Sequence, residues 1–244
     1  MTYCVALKLD QGIVFAGDTR TNAGVDNISC FRKVHCWQKK NDRVFVLLSA
    51  GNLSVTQSVV ALIEENFNND NNDDNGSSLL AVSTLHRAAR IIGDMLREIK
   101  KTDADELDQG QGFNASFIFG GQIGHGSPGL FQIYSEGNYI EATEDTPFFQ
   151  IGEHKYGKPI IDRIINPHMS LDDGLKLLLL SFDSTLRSNL SVGLPLDVIV
   201  YENGMLDIKN KLRIEQDDEN FKQMSDSWSG SLRQAFSDME GWKL

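Results

Sequence analysis

The chain has 244 residues, 41% of them hydrophobic and 23% charged, enough for one large core or two small ones. Its 34 acidic and 23 basic side chains give a formal net charge of -11, which argues against nucleic acid or an anionic membrane as a partner. No stretch approaches the roughly 18 consecutive apolar residues of a membrane span, no secretion signal opens the chain, and the three cysteines, Cys4, Cys30 and Cys36, read as reduced thiols; a cytoplasmic protein is expected.

Residues 2–9 alternate, with Tyr3, Val5, Leu7 and Leu9 on one face and Thr2, Cys4, Ala6 and Lys8 on the other, the period of a strand. A turn at Asp10-Gln11-Gly12 leads into "IVFAG", a fully buried strand, and the two make a hairpin. "FRKVHCWQ" and "RVFVLLSAG" repeat the pattern around a turn at Lys39–Asp42, so four strands are expected first. Two helices follow: Val55, Val59, Leu62, Ile63 and Phe67 recur at helical spacing in "LSVTQSVVALIEENF", and Leu85, Ala88, Ala89, Ile92 and Leu96 do so in "LLAVSTLHRAARIIGDMLREIKK".

Between them "NNDNNDDNGSS" is too polar to bury anything. Asn71, Asp73, Asn75 and Gly76 fall at offsets resembling a calcium loop, but Val82 stands where the closing acid belongs, and no calcium is assigned. Short strands separated by glycine-rich turns come next, in "FNASFIFGGQI", "GLFQIYSEG", "NYIEA" and "PFFQIG". "KYGKPIIDRII" and "SLDDGLKLLLLSFDSTLRSNL" read as helices, the second capped by Ser170 with Asp172 and Asp173 in its first turn. "PLDVIVYEN" and "MLDIKNKLRI" close as a hairpin around Asn203-Gly204. This order fits neither regular βαβ alternation nor an all-β chain, which leaves an α+β fold with stacked sheets and helices outside. The last thirty residues pair an acidic run, "EQDDEN", with an apolar stripe at Trp228, Leu232 and Phe236, the pattern of a helix docked on its own core or on a neighbour.

The chemistry concentrates near the N-terminus. A terminal threonine carries a nucleophile and a base in one residue, because an α-amine can take the hydroxyl proton directly or through water. Thr2 follows Met1, and an initiator methionine before a small residue is removable, which would free the Thr2 amine. Asp18, in "GDTRTNAG", follows a buried strand and is placed to hold a cation; Lys33, in "FRKVH", supplies one, and its charge disfavours protonation of a nearby amine. Gly51, in "LLSAGN", stands at a strand-to-helix junction, where an unobstructed backbone N–H can face an oxyanion. Cys30, His35 and Cys36 lack a fourth ligand in view, so neither metal nor cofactor is expected.

Thr2 after Met1, "GIVFAGDTRTNAG", "FRKVH" and "LLSAGN" resemble the proteasome β-subunit pattern, and "IGEHKYGKPIIDR" and "LRSNLSVGLPLDVIVYENG" are similar to the bacterial ancestral β-subunit family, Anbu. The resemblance implies the four-layer αββα sandwich of N-terminal nucleophile hydrolases over residues 1–214, with 215–244 as an acidic segment and C-terminal amphipathic helix. It also implies peptide-bond hydrolysis of peptide or protein substrates, no cofactor, and self-association into a ring or spiral homo-oligomer, with any ATPase partner unspecified. By the same resemblance Thr2 matches the nucleophile, Asp18 the structural acid, Lys33 the lysine that lowers the amine's basicity, Gly51 the oxyanion donor, and Thr21 a substrate-binding position. The family's relay serine is replaced by Glu153, an altered relay, and Ser191 is the candidate for the second relay serine. Two other readings remain open: an amidase for small amides, and a ring-forming scaffold without catalysis.

Overall fold

The computed structural model describes residues 1–22, 28–68, 78–107 and 114–242, and the calcium-like offsets at 71–76 lie outside them. Two antiparallel five-stranded sheets stack face to face. The first contains Tyr3–Leu9 (β1), Gly12–Asp18 (β2), Phe148–Gly152 (β10), Leu196–Glu202 (β11) and Asn210–Ile214 (β12), in the order β10-β1-β2-β11-β12. The second runs Val34–Lys39 (β5), Arg43–Gly51 (β6), Ala115–Ile123 (β7), Gly129–Ile133 (β8) and Tyr139–Glu141 (β9) in chain order. Helices Leu53–Asn68 (α1) and Leu85–Leu107 (α2) cover the second sheet; Lys158–Ile164 (α3) and Leu171–Ser188 (α4) cover the first, and Glu219–Asp238 (α5) packs on α4. The result is the expected αββα sandwich.

Three apolar layers hold these four together, and strand alternation assigns each residue to one of them. Tyr3, Val5, Leu7, Val14 and Ala16 face α4 together with Leu177, Leu178 and Phe182. Their neighbours Cys4, Ala6, Ile13 and Phe15 point the other way, against Val44, Val46, Leu48 and Ile118 of the second sheet. Phe45, Leu47, Phe117 and Phe119 then turn outward to Val59, Ile63, Ala88, Ala89 and Ile92 of α1 and α2. Both faces of β1 and β2 are therefore dry, which is why "IVFAG" is an unbroken apolar run. Lys8 escapes burial at the rim, where its Nζ donates to the Ala142 carbonyl.

The structure departs from the sequence reading in three places. Before α1 there are six strands, because a short ribbon of Arg20–Asn22 (β3) and Ile28–Cys30 (β4) stands apart from both sheets; three-residue strands carry too little alternation to read. Helix α2 begins at Leu85, not Leu79. Leu79 and Val82 are buried in a turn whose carbonyls accept bonds from the buried Arg43 guanidinium at 2.8 and 3.0 Å, so a distant strand end shapes the segment. The last hairpin pairs from Val200 and Asn210 onward, a wider connection than a tight Asn-Gly turn, with Gln122 Oε1 accepting from Tyr201 Oη and from the Gly204 N–H.

The expected cap is in place: Ser170 Oγ accepts the Asp173 N–H at 3.1 Å. Helix α5 is capped likewise by Asp218 and packs the partly buried Phe221 against the α4 layer. Its stripe is only half covered. Trp228 lies in the groove against Leu177 and Leu180, whereas Leu232 and Phe236 are 51% and 81% exposed.

Candidate active site

Thr2 sits just ahead of β1 and is tied down on two sides through the backbone. Its carbonyl accepts the Glu153 N–H at 2.6 Å, and the N–H of the following Tyr3 donates to Asp18 Oδ1 at 2.9 Å. Tyr3 pairs with Gly152 across β1 and β10. Gly152 adopts φ +81°, and a Cβ there would collide with the Thr2 carbonyl oxygen, so the strand can pass Thr2 this closely only as glycine.

Asp18, at the end of β2, is fully buried and gathers three donors: Lys33 Nζ at 2.8 Å, the Tyr3 N–H, and the Gly193 N–H at 3.4 Å. Burial pushes its carboxyl up, while the lysine charge and these hydrogen bonds pull it back. Lys33, 5% exposed, spends a second bond on the Arg20 carbonyl at 2.6 Å. Its own carbonyl accepts the Ser49 N–H, which locks the lysine beside β6, and β6 ends at Gly51. Gly51 has φ +113°, and a side chain would strike the Asn114 carbonyl oxygen. Asn52 then accepts the Ser54 N–H and starts α1, so Gly51 stands at the strand-to-helix junction anticipated from "LLSAGN".

These groups converge on one cavity of about 250 Å³ whose walls include Met1, Thr2, Thr21, Lys33, Gly51 and Gly152. Roomier clefts of about 370 and 430 Å³ lie between β5 and β12 and between α4 and α5. Neither sets a hydroxyl nucleophile beside a buried ammonium, so chemistry outweighs size here. The Met1 α-amine at this cavity is held below its ordinary value, first by burial and then by Lys33, with Asp18 acting in the opposite sense. Cys4 is a different matter: it is fully buried, its Sγ donates to the Ser49 carbonyl, and burial pushes its thiol far up, leaving no thiolate for nucleophilic work.

Of the residues singled out in the sequence, Thr2, Thr21, Lys33 and Gly51 line the cavity and Asp18 stands directly behind it. Glu153 and Ser191 lie to one side, linked through a residue the sequence reading passed over. Glu153 Oε1 accepts the N–H groups of His154 and Lys155, and Oε2 accepts Asn189 Nδ2 at 2.6 Å. Burial alone would raise this carboxyl, but the bonds from Lys155, Asn189 and His154 and the Lys155 charge together hold it below its ordinary range. Ser191 contributes its backbone N–H, which donates to Asn189 Oδ1 at 2.9 Å. Asn189 stands two residues before Ser191, and only the folded loop turns it toward the terminus. Gly152 and Gly193 were also missed, since glycines before an acid or in a loop carry no distinctive spacing.

Residues 2–200 match the family model described as Proteasome subunit. Among solved structures, Anbu (Gly-1) mutant from Hyphomicrobium sp. strain MC1 is 54% identical with a TM-score of 0.94, covering 100% of both chains. Anbu (ancestral beta-subunit) from Yersinia bercovieri is 45% identical at a TM-score of 0.91, covering 99% of this chain and 100% of that one. The Anbu of the helical assembly from Pseudomonas aeruginosa is 41% identical at a TM-score of 0.92, covering 99% and 98%. No curated protein matches. With the αββα sandwich and these matches over nearly its whole length, the chain belongs to the proteasome subunit family, on its Anbu branch.

Proposed function

We propose that this protein is a threonine-type peptidase of the N-terminal nucleophile class, working once Met1 has been removed. The observation that carries the reading is the convergence of Thr2, the buried Asp18–Lys33 pair and Gly51 on one cavity. Thr2 Oγ attacks the amide carbonyl and its own α-amine takes the hydroxyl proton, kept available as a base by the neighbouring Lys33 charge. The Gly51 N–H faces the developing oxyanion, the amine returns the proton to the leaving nitrogen, and water releases the acyl group from Thr2. Thr21, on the cavity wall, offers backbone to an extended substrate. No step calls for a cofactor.

The test is the intact mass of the purified protein before and after a β-lactone electrophile, with the adduct mapped by peptide sequencing. Loss of Met1 and one adduct on Thr2 are expected. Retained Met1 and no adduct would overturn the hydrolase reading in favour of a scaffold, and a small-amide panel beside a peptide library separates peptidase from amidase.

Self-association is part of the same reading. Residues 215–244 supply the contact: Leu232, Phe236, Met239 and Trp242 are exposed on or just beyond α5, a larger apolar surface than a lone terminal helix needs. A related Anbu is described in a helical assembly. In sedimentation velocity, Phe236→Glu with Trp242→Glu is expected to reduce the assembly to small species; unchanged sedimentation would remove α5 from the interface. Among the described residues no helix is long and apolar enough to cross a membrane.

A further inference from the structure

The hydrogen bonds of Asn189 fix which way its amide points. Its Oδ1 accepts the Ser191 N–H, a group that can only donate, and its Nδ2 donates to the Glu153 carboxylate, which can only accept. A flipped amide would break both bonds. One Nδ2 proton remains, and it points at the Met1 sulfur at 3.4 Å, a weak acceptor. The terminus thus meets the donor edge of an amide, with a carboxylate behind it whose oxygens are already occupied by two backbone N–H groups and by Asn189 itself.

That arrangement bears on a conflict in the site. A carboxylate touching the Thr2 amine would favour the ammonium form and oppose Lys33. We propose that Asn189 is a positioning residue for the terminal amine: its side-chain amide, clamped between the Ser191 N–H and Glu153, separates that amine from the carboxylate and turns an N–H edge toward it. Removing Met1 takes away the sulfur this N–H faces, so the proton is left for the new α-amine to accept. The inference rests on the reading of Thr2 as the working terminus. The charged and titratable groups around it are Asp18 on β2, Arg20 on β3, Lys33 before β5, and Glu153, His154 and Lys155 after β10.

The experiment titrates the α-amine itself by competitive acylation followed by mass spectrometry, on protein beginning at Thr2, released if need be from an N-terminal fusion by a protease that leaves Thr2 first. Asn189→Ala removes the N–H edge and opens the Glu153 carboxylate to the amine, and is expected to raise the amine's midpoint by about one pH unit or more, so the acidic limb of β-lactone acylation moves to higher pH and the rate at pH 7 falls about tenfold. Glu153→Gln removes the charge, its single acceptor oxygen then being contested by the His154 and Lys155 N–H groups and Asn189, and is expected to move the amine by less than about 0.3 unit. A purely structural Asn189 would lower stability without moving the midpoint, and that result overturns the inference. So does a drop of about one unit in Glu153→Gln, which would put the carboxylate in direct contact with the amine. Because the titration needs no catalysis, absence of a β-lactone adduct would sink the hydrolase reading alone, and an unmoved amine with a normal adduct would sink this inference alone.

Discussion

Thr2→Ala is expected to lower hydrolysis by about 10⁴-fold or more and to abolish the β-lactone adduct, because the hydroxyl carried by the same residue as the working α-amine is gone while the cavity remains. The substitution removes one hydroxyl and one methyl from a half-exposed side chain whose backbone bonds, from Glu153 N–H and through Tyr3 N–H to Asp18, are untouched. Stability should therefore stay within about 0.5 kcal/mol of the parent, and sedimentation should be unchanged. The decisive reading is turnover of a peptide library at equal concentration. A variant that cleaves as fast as the parent would remove Thr2 from the chemistry, whatever its fold.

Asp18→Ala is expected to be the most destabilising polar substitution near the site. It strands the Lys33 ammonium in a position 5% exposed and leaves the Tyr3 and Gly193 N–H groups short of an acceptor. Breaking a buried pair from one side costs about 3–5 kcal/mol. At roughly 2–4 °C per kcal/mol for a chain of this size, the melting temperature should fall by about 6–20 °C. Asp18→Leu combined with Lys33→Met, which removes both charges, should recover much of that loss while leaving the terminal amine without its cation and the enzyme slow. A melting temperature within about 2 °C of the parent for Asp18→Ala would mean that the pair holds nothing together. The two measurements separate two contributions of Asp18: holding Thr2 through the Tyr3 N–H and neutralising the Lys33 ammonium.

How much was legible in advance differs from residue to residue. The buried alternation in "VALKLDQGIVFAG" and "RVFVLLSAG" placed β1, β2 and β6 correctly, since a strand with both faces in a core must be apolar at nearly every position. The stripes of α1 and α2 located their buried faces, and Ser170 marked the start of α4. Leu79 and Val82 misled because apolar spacing reports burial and not conformation; the turn they occupy is set by Arg43, far away in sequence. Asp18, Lys33 and Gly51 were recognisable because each stands at the end of a readable strand or at its threshold.

By itself, then, the sequence determined the α+β class and the core faces of its longest elements, which follow from local periodicity, and its motifs singled out Thr2, Asp18, Lys33 and Gly51 as the candidate site through their resemblance to the family. Only the tertiary structure decided that Gly152 must be a glycine, that Gly193 completes the shell of Asp18, that Glu153 spends its oxygens away from the cavity, and that Asn189 faces the terminus. Each depends on segments tens to more than a hundred residues apart meeting within hydrogen-bond or van der Waals distance, and no spacing along the chain encodes such a meeting.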